Sequence, residues 1–301
     1  MRTFDGLRLA VTTYGPDDAP LTVFLAHCWT LNQQDWHYQV RDLMREFGHD
    51  VRIVTWDHRG HGESSPVTRA GARIDLLARD WGDLVDALAP TGPLLLAGHS
   101  IGGMALMALA EQRPELFERV VGVALVSTSS GQLDTVTLGL PDAGPLLRSQ
   151  IPRVLALRSR TLSRRARRRA PIVERLLLRT FLFGTPMRLA DAALAVEGLI
   201  SCPGATVVGY YEDCLRHDRA DALAVLAGIP VRVLVGSRDV LTPPSHARRL
   251  LERLPDAHLT VAPGAGHMLP LERERVVSAA LATLARPHVR RDAAASRDRA
   301  S

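Results

Sequence analysis

The sequence predicts an α/β protein with a mostly parallel central sheet, helices flanking the sheet and an inserted helical segment. Short apolar runs rich in Val, Ile and Leu alternate with segments of helical periodicity, which is typical of parallel α/β sheets. Continuous apolar runs favour strands buried on both faces. The alternation stops between about Gln132 and Asp221 and resumes at Val231, which indicates an insertion.

An alternation of apolar and polar residues predicts the first strand, and compact apolar runs predict the others. Turn residues separate the predicted strands. The predicted strands are Leu7–Tyr14, Leu21–Ala26, Val51–Trp56, Leu94–Ala97, Val120–Val126, Val231–Val235 and His258–Ala262. Apolar residues at helical spacing predict the intervening helices Trp36–Phe47, Asp75–Leu88, Ile101–Gln112, Ser245–Leu254 and Glu272–Leu284.

Residues 132–219 carry no run typical of a buried strand and are predicted to form a helical cap. Its expected helices are Pro145–Leu157, Pro171–Phe183, Met187–Leu199 and Thr206–His217. The domain prediction is therefore a core of residues 1–131 and 220–286, a cap of residues 132–219 and a disordered tail of residues 287–301, which is poor in apolar side chains.

Composition excludes several classes of protein. The 301 residues are 46% hydrophobic and 23% charged, with a formal net charge of +5, which fits a globular protein rather than a disordered one. No apolar run approaches the ~20 residues of a membrane span, and no signal peptide is visible, so a cytoplasmic location is expected. An odd set of cysteines without a Cys-x-x-Cys pair argues against disulfides and a zinc ribbon.

The segment Gly98-His99-Ser100-Ile101-Gly102 follows one predicted strand and precedes a helix. A serine on a sharp strand-to-helix turn needs small residues two positions before and after it, because larger side chains would clash across the turn. The pattern predicts Ser100 as a nucleophile. His99 is interpreted as a packing residue of the turn rather than as the base.

A catalytic serine needs an imidazole base and a carboxylate that orients it. Asp239 and His267 each follow a predicted strand, and carboxyl ends of parallel strands are where such sheets place their sites. The chain order Ser100, Asp239, His267 matches one known arrangement of this triad. Asp134, past the strand Val120–Val126, is a second candidate for the acid.

With these motifs the chain resembles the α/β-hydrolase-fold serine hydrolases of the esterase and lipase kind, over about Phe4 to Leu284. Two further matches follow early strands: Ala26-His27-Cys28-Trp29, and the segment Trp56-Asp57-His58-Arg59-Gly60-His61-Gly62-Glu63-Ser64. The resemblance implies an oxyanion hole of two backbone N–H groups, from Ile101 and Trp29. Cys28 stands where the family has glycine, so the Cys28 N–H remains an alternative second donor.

The resemblance also implies a substrate pocket that includes His27, Cys28, Trp29 and Met268, and it implies neither a cofactor nor a metal. Structural hydrogen bonding is the preferred interpretation of His58 and His61, although their spacing also occurs among metal ligands. Serine at the turn disfavours dehalogenase and epoxide hydrolase chemistry, which in this fold uses aspartate there.

The predicted reaction is hydrolysis of a small carboxylic ester with an apolar or lipid-like acyl part. Acyl transfer, ring formation and C–C cleavage on the same triad remain alternatives, as does a slow-turnover small-molecule receptor. The arginine-rich run Arg158–Arg169 is either a solvated cap edge or a surface for an anionic substrate or membrane. It lacks the aromatic residues that would favour nucleic acid. Oligomeric state is not predicted.

Overall fold

The computed structural model describes residues 1–133 and 181–289. In these residues seven strands form one sheet in the order β1-β3-β2-β4-β5-β6-β7. The strands are β1 (Val11–Tyr14), β2 (Leu21–Ala26), β3 (Val51–Trp56), β4 (Leu94–His99), β5 (Val120–Val126), β6 (Val231–Gly236) and β7 (His258–Ala262).

Every neighbouring pair is parallel except β1 and β3, which are antiparallel. The parallel pairing brings the carboxyl ends of the strands to one edge: Ala26 at the end of β2 lies opposite Gly98, and His99 at the end of β4 lies opposite Val126. The predicted fold class, an α/β sheet that is mostly parallel, is confirmed. The loops after β2, β4, β6 and β7 therefore converge on one side of the molecule.

Helices cover both faces of this sheet. On one face α2 and α3 pack with α6 against an apolar cluster that contains Trp56, and on the other α1 packs with α8. In the described ranges the helices are α1 (His37–Phe47), α2 (Ile74–Leu88), α3 (Ile101–Gln112), α4 (Leu189–Ser201), α5 (Gly204–Arg216), α6 (Pro244–Arg253), α7 (Leu269–Glu272) and α8 (Glu274–Ala285).

Most predicted elements differ from the observed ones by no more than two residues at an end, and three show larger differences. β1 begins at Val11 rather than at Leu7. The predicted start of the helix Glu272–Leu284 falls at the end of a separate short helix, α7, because Arg273 is not helical and α8 begins at Glu274. The prediction that His258–Ala262 is buried on both faces is wrong: β7 is an edge strand whose first four residues are exposed or half-buried.

Two of the four helices predicted for the insertion lie in the described residues, as α4 and α5. Tyr210 of α5 is fully buried, and its hydroxyl donates a hydrogen bond to the carbonyl of Arg59 in the core. The helix Pro145–Leu157, the run Arg158–Arg169, most of Pro171–Phe183 and residues 290–301 lie outside the described residues.

No single helix in the two described ranges combines the length and apolar character needed to cross a membrane. The consecutive helices α4 and α5 meet that criterion only when taken together, and they are bent by 100° at the break between them.

Candidate active site

Ser100 occupies the sharp turn between β4 and α3. Its backbone angles are φ 54° and ψ −115°, a region that non-glycine residues rarely adopt and that persists only where the surroundings impose it. A Cβ at Gly98 would lie 2.4 Å from the carbonyl carbon of Gly102, and a Cβ at Gly102 would lie 2.3 Å from the carbonyl oxygen of Ala26. The two glycines therefore permit the turn that presents the Ser100 hydroxyl.

We expect Gly102→Ala to destabilise the fold by roughly 3 kcal/mol, because the added methyl group meets rigid backbone rather than a movable side chain. Urea denaturation measures the change. Gly82→Ala is the matched control: it lies inside α2, and its added Cβ would meet its nearest neighbour, in the Arg113 side chain, at 3.4 Å. Since alanine favours helix, this control should lose no stability. Equal losses in both variants would contradict the packing argument.

The three residues that the sequence analysis selected come together at the carboxyl edge of the sheet. His267 Nε2 lies 3.0 Å from Ser100 Oγ, and His267 Nδ1 lies 2.9 Å from Asp239 Oδ2. A carboxylate only accepts hydrogen bonds, so Nδ1 carries the ring proton and Nε2 is free to accept the proton of Ser100. All three side chains are buried.

Asp239 accepts hydrogen bonds from other groups besides His267. Its Oδ1 accepts the backbone N–H groups of Leu241 and Thr242 at 2.9 Å each, and its Oδ2 accepts the Thr242 hydroxyl at 2.9 Å. Burial alone would raise the pKa of this carboxyl, but the electrostatic interaction with His267 and the hydrogen bonds from His267 and Thr242 hold it below its usual value. The carboxylate is therefore ionised and fixed in orientation. Sequence reasoning did not identify Thr242.

The backbone N–H groups of the loop after β2 and of the turn at Ser100 differ in whether they have a hydrogen-bond partner. The N–H of Cys28 donates to Asp35 Oδ2 at 3.0 Å. Within the described residues the N–H groups of Trp29 and Ile101 have no hydrogen-bond acceptor. Cys28 is not among the described residues with positive φ, and Thr30 takes the left-handed conformation instead, at φ 68°. Cysteine is thereby accommodated where glycine is usual.

The residues assigned to the pocket lie in two different environments. Cys28 and Met268 belong to an apolar cluster together with Leu31, Phe183 and Leu271. Trp29 is half-buried, and its ring centroid lies 6.2 Å from that of Tyr211 on α5. Burial raises the pKa of the Cys28 thiol well above its ordinary value, so the thiol is neutral.

His27 lies behind this loop, with its ring in contact with that of another histidine at an interplanar angle of 43°. Its ring centroid is 4.0 Å from that of His58 and 5.3 Å from that of His61. His27 Nδ1 donates to the Cys28 carbonyl, and its Nε2 accepts the backbone N–H of His58. These contacts brace the loop from within the core. The other acid candidate, Asp134, lies outside the described residues.

The chain matches the alpha/beta hydrolase family over residues 23–280. The chain belongs to that family. Its fold is similar to a thermophilic esterase from Thermogutta terrifontis whose structure has malate bound: the TM-score is 0.74 at 25% identity, over 96% of this chain and 97% of the other. The resemblance to enzymes of the α/β-hydrolase fold that the motifs predicted is therefore confirmed.

Two curated relatives are similar over shorter segments. A bifunctional esterase/perhydrolase, DCH, from Acinetobacter calcoaceticus is 37% identical over 34% of this chain and 34% of its own length. A non-heme chloroperoxidase from Streptomyces lividans is 32% identical over 46% of this chain and 49% of its own length. The chain thus spans between about a third and a half of these two relatives.

Proposed function

We propose that this α/β hydrolase cleaves a carboxylic ester with an apolar acyl part through a covalent acyl-enzyme on Ser100. The observation that carries the proposal is the continuous hydrogen-bonded line from Ser100 Oγ through His267 to Asp239, with Ser100 on a turn that only its flanking glycines permit. This arrangement supplies the activated nucleophile that ester cleavage needs.

In the acylation step Ser100 Oγ attacks the carbonyl carbon of the ester while His267 Nε2 removes its proton. Asp239 stabilises the imidazolium that forms and keeps the ring in the reactive tautomer. The tetrahedral intermediate then collapses: the bond from the carbonyl carbon to the alkoxy oxygen breaks, and His267 returns the proton to the leaving alcohol. Water repeats the sequence on the acyl-enzyme and releases the acid.

The oxyanion of each tetrahedral intermediate is assigned to the N–H groups of Trp29 and Ile101. Both are free of intramolecular acceptors in the part of the chain that the structure describes, whereas the N–H of Cys28 is occupied by Asp35. Preorganised backbone donors of this kind are typically worth roughly 10²–10³ in rate each. These contacts favour Trp29 over Cys28 as the second donor.

The apolar character proposed for the acyl part rests on the side chains next in sequence to Trp29 and His267. Cys28 and Met268 are buried in an apolar cluster with side chains from the insertion, Phe183 and Ala195 among them. Part of the insertion therefore packs against the loops that carry the site. We propose that the described part of the predicted cap, residues 181–219, contributes to the cover over the acyl group.

Peroxide is a second acceptor to test, because one of the relatives is named as an esterase/perhydrolase and another as a chloroperoxidase. In that reaction hydrogen peroxide takes the place of water, attacks the acyl carbon and leaves as the peracid, and Ser100 regains its proton from His267. Adding hydrogen peroxide to the ester assay and measuring peracid separates this activity from hydrolysis.

The test of the proposed function is covalent labelling with a fluorophosphonate probe, measured by intact mass, followed by hydrolysis of a series of p-nitrophenyl esters of increasing acyl length. We expect one label per wild-type chain, no label on Ser100→Ala, and measurable ester turnover. Ser201→Ala is the control: this hydroxyl sits at the end of α4 and bonds to Glu197, so the variant should label like the wild type.

Two results would contradict the proposal. A folded wild type that takes no label would show that Ser100 is not activated, and the receptor alternative would then be preferred. A label that persists on Ser100→Ala would place the nucleophile at another residue.

A further inference from the structure

A second aspartate–histidine pair lies directly behind the proposed triad. His99 Nδ1 is 2.7 Å from Asp35 Oδ2, and His99 Nε2 is 2.9 Å from the backbone carbonyl oxygen of His267. Both side chains are fully buried, at 0% exposure. The ring centroids of His99 and His267 are 5.3 Å apart. His99 thus has a defined partner on each ring nitrogen, which a residue that only fills space would not need.

The partners decide the charge of this histidine. A carboxylate and a peptide carbonyl both accept hydrogen bonds and cannot donate, so each ring nitrogen of His99 must carry a proton. His99 is then an imidazolium, and Asp35 is its counter-ion. Burial opposes this charge, but the negative charge of Asp35 and its hydrogen bond outweigh burial and raise the pKa of His99. The negative charge of Asp239 also raises the pKa of His99.

Asp35 connects the pair to the oxyanion loop as well. The oxygen that holds His99, Oδ2, also accepts the backbone N–H of Cys28 at 3.0 Å. Cys28 immediately precedes Trp29, whose N–H is the proposed oxyanion donor, and His99 immediately precedes Ser100. The pair therefore links three segments: the oxyanion loop, the nucleophile turn and the loop that carries His267.

These residues do not form a metal site in this arrangement, although the ligand atoms of Cys28, Asp35 and His99 lie within 4.8 Å of one another. Neither nitrogen of a doubly protonated His99 has a lone pair to offer a cation. The Cys28 thiol is neutral, because burial and the charge of Asp35 raise its pKa.

We propose that Asp35 and His99 form a buried ion pair that positions the catalytic machinery, fixing the Trp29 N–H and the His267 ring relative to Ser100 Oγ. The proposal rests on the proposed function, because it assigns the pair a role in the same ester cleavage. Both are positioning residues, since neither touches the reacting atoms. Errors of about 1 Å in such a site lower rates by up to ~10²-fold, which sets the expected size of the effect.

The first experiment measures the charge of His99 without using activity. Ser100→Ala enriched in ¹⁵N-histidine is examined by NMR between pH 6 and pH 8, and the His99 signals are assigned by their absence from Ser100→Ala/His99→Gln. We expect both ring nitrogens to be protonated throughout. A neutral His99 ring at pH 7, with the shared proton on Asp35, would overturn the proposal, and this result does not depend on whether the protein is an esterase.

The second experiment measures kcat and KM for Asp35→Asn, His99→Gln and the double variant, per serine labelled by the fluorophosphonate probe, so that unfolded protein does not count. We expect each single variant to lose ~10–100-fold in kcat with KM changed less than about threefold. The double variant should fall no further than about threefold below the worse single variant, because the two residues act as one unit. Asp42→Asn, on α1 beside Ser278, is the control and should keep its kcat.

Unchanged kcat in folded single variants, or losses that multiply in the double variant, would overturn the positioning role. Where a single variant fails to fold, the NMR measurement still decides the charge state and the double variant still reports kcat. A wild type that neither labels nor turns over esters would instead defeat the proposed function, whatever the protonation of His99.

Discussion

His267→Ala should lower kcat for ester hydrolysis by roughly 10⁴–10⁶-fold, because the proton of Ser100 then has no acceptor at 3.0 Å. Asp239→Asn should lower kcat by about 10⁴-fold, since an amide NH₂ would face Nδ1 and favour the tautomer that leaves Nε2 protonated. Combining His267→Ala with Ser100→Ala should add little, because the residues of a triad act together. Steady-state kinetics on the ester series measures these losses.

The control for this prediction is His258→Ala. His258 lies at the start of the edge strand β7, with an exposed side chain, so activity should stay within about twofold of wild type. A loss below tenfold in folded His267→Ala would contradict the assigned base. A loss in Asp239→Asn below tenfold would return attention to Asp134 as the acid.

The second large effect expected is a loss of stability in mild acid. Burial lowers the pKa of His58 to about 3, of His61 to about 4 and of His217 to about 3. Burial and the neighbouring histidines place the pKa of His27 well below its ordinary value. Each of these rings is neutral when folded and takes up a proton on unfolding near pH 6.5 and below, so acid favours the unfolded chain.

The stability that these four histidines contribute is fully present above pH 6.5 and is lost as the pH falls from there toward 4. Each contributes on the order of 1 kcal/mol per pH unit in that window. His99 does not offset this loss, because its raised pKa places its own change in stability above pH 6.5. Asp80 offsets about one of the four histidines: burial raises its pKa to about 6, so in this window the folded protein takes up a proton that the unfolded chain does not. We therefore expect the free energy of unfolding to fall by roughly 3 kcal/mol between pH 6 and pH 5.

Urea denaturation at half-unit pH steps measures this slope. His61→Asn keeps a donor for the Arg59 carbonyl, which His61 Nδ1 bonds at 3.2 Å, but removes one titrating group, so its slope should be shallower by about 1 kcal/mol per pH unit. His49→Asn, in the short turn that follows α1, should keep the wild-type slope. A stability that does not change between pH 6 and pH 5 would show that these rings are already protonated in the folded protein.

Much of the fold could be predicted because its signals are local. The strands Leu21–Ala26, Val51–Trp56 and Val120–Val126 and the helix Ile101–Gln112 have the predicted bounds, since apolar runs and turn residues mark both ends. β7 was mispredicted as fully buried, because its composition is that of a central strand and only the strand order places it at an edge. Strand order depends on long-range pairing, which no local pattern records.

The candidate site shows the same division between local and long-range information. Ser100, Asp239 and His267 were selected from strand-end positions and spacing, and the structure brings them into hydrogen-bonding distance. The sequence analysis did not identify Thr242 or Asp35. Each contacts a histidine that is distant in the sequence, and Thr242 is also brought back onto Asp239 by a turn. His99 was interpreted as packing, since nothing in the sequence reveals that both of its nitrogens face acceptors.

The sequence by itself determined the class of fold, the glycine-flanked turn at Ser100 and the candidate residues of the proposed triad, because these follow from periodicity and from the small residues that a strained turn requires. Only the tertiary structure decided which backbone N–H groups are free, which histidines are buried neutral and which one is charged. Those properties depend on what each polar atom meets after folding: Asp35 occupies the N–H of Cys28 and leaves that of Trp29 open. The same carboxylate makes His99 a cation, while His27 and His58, which contact no carboxylate in the described part of the chain, are neutral.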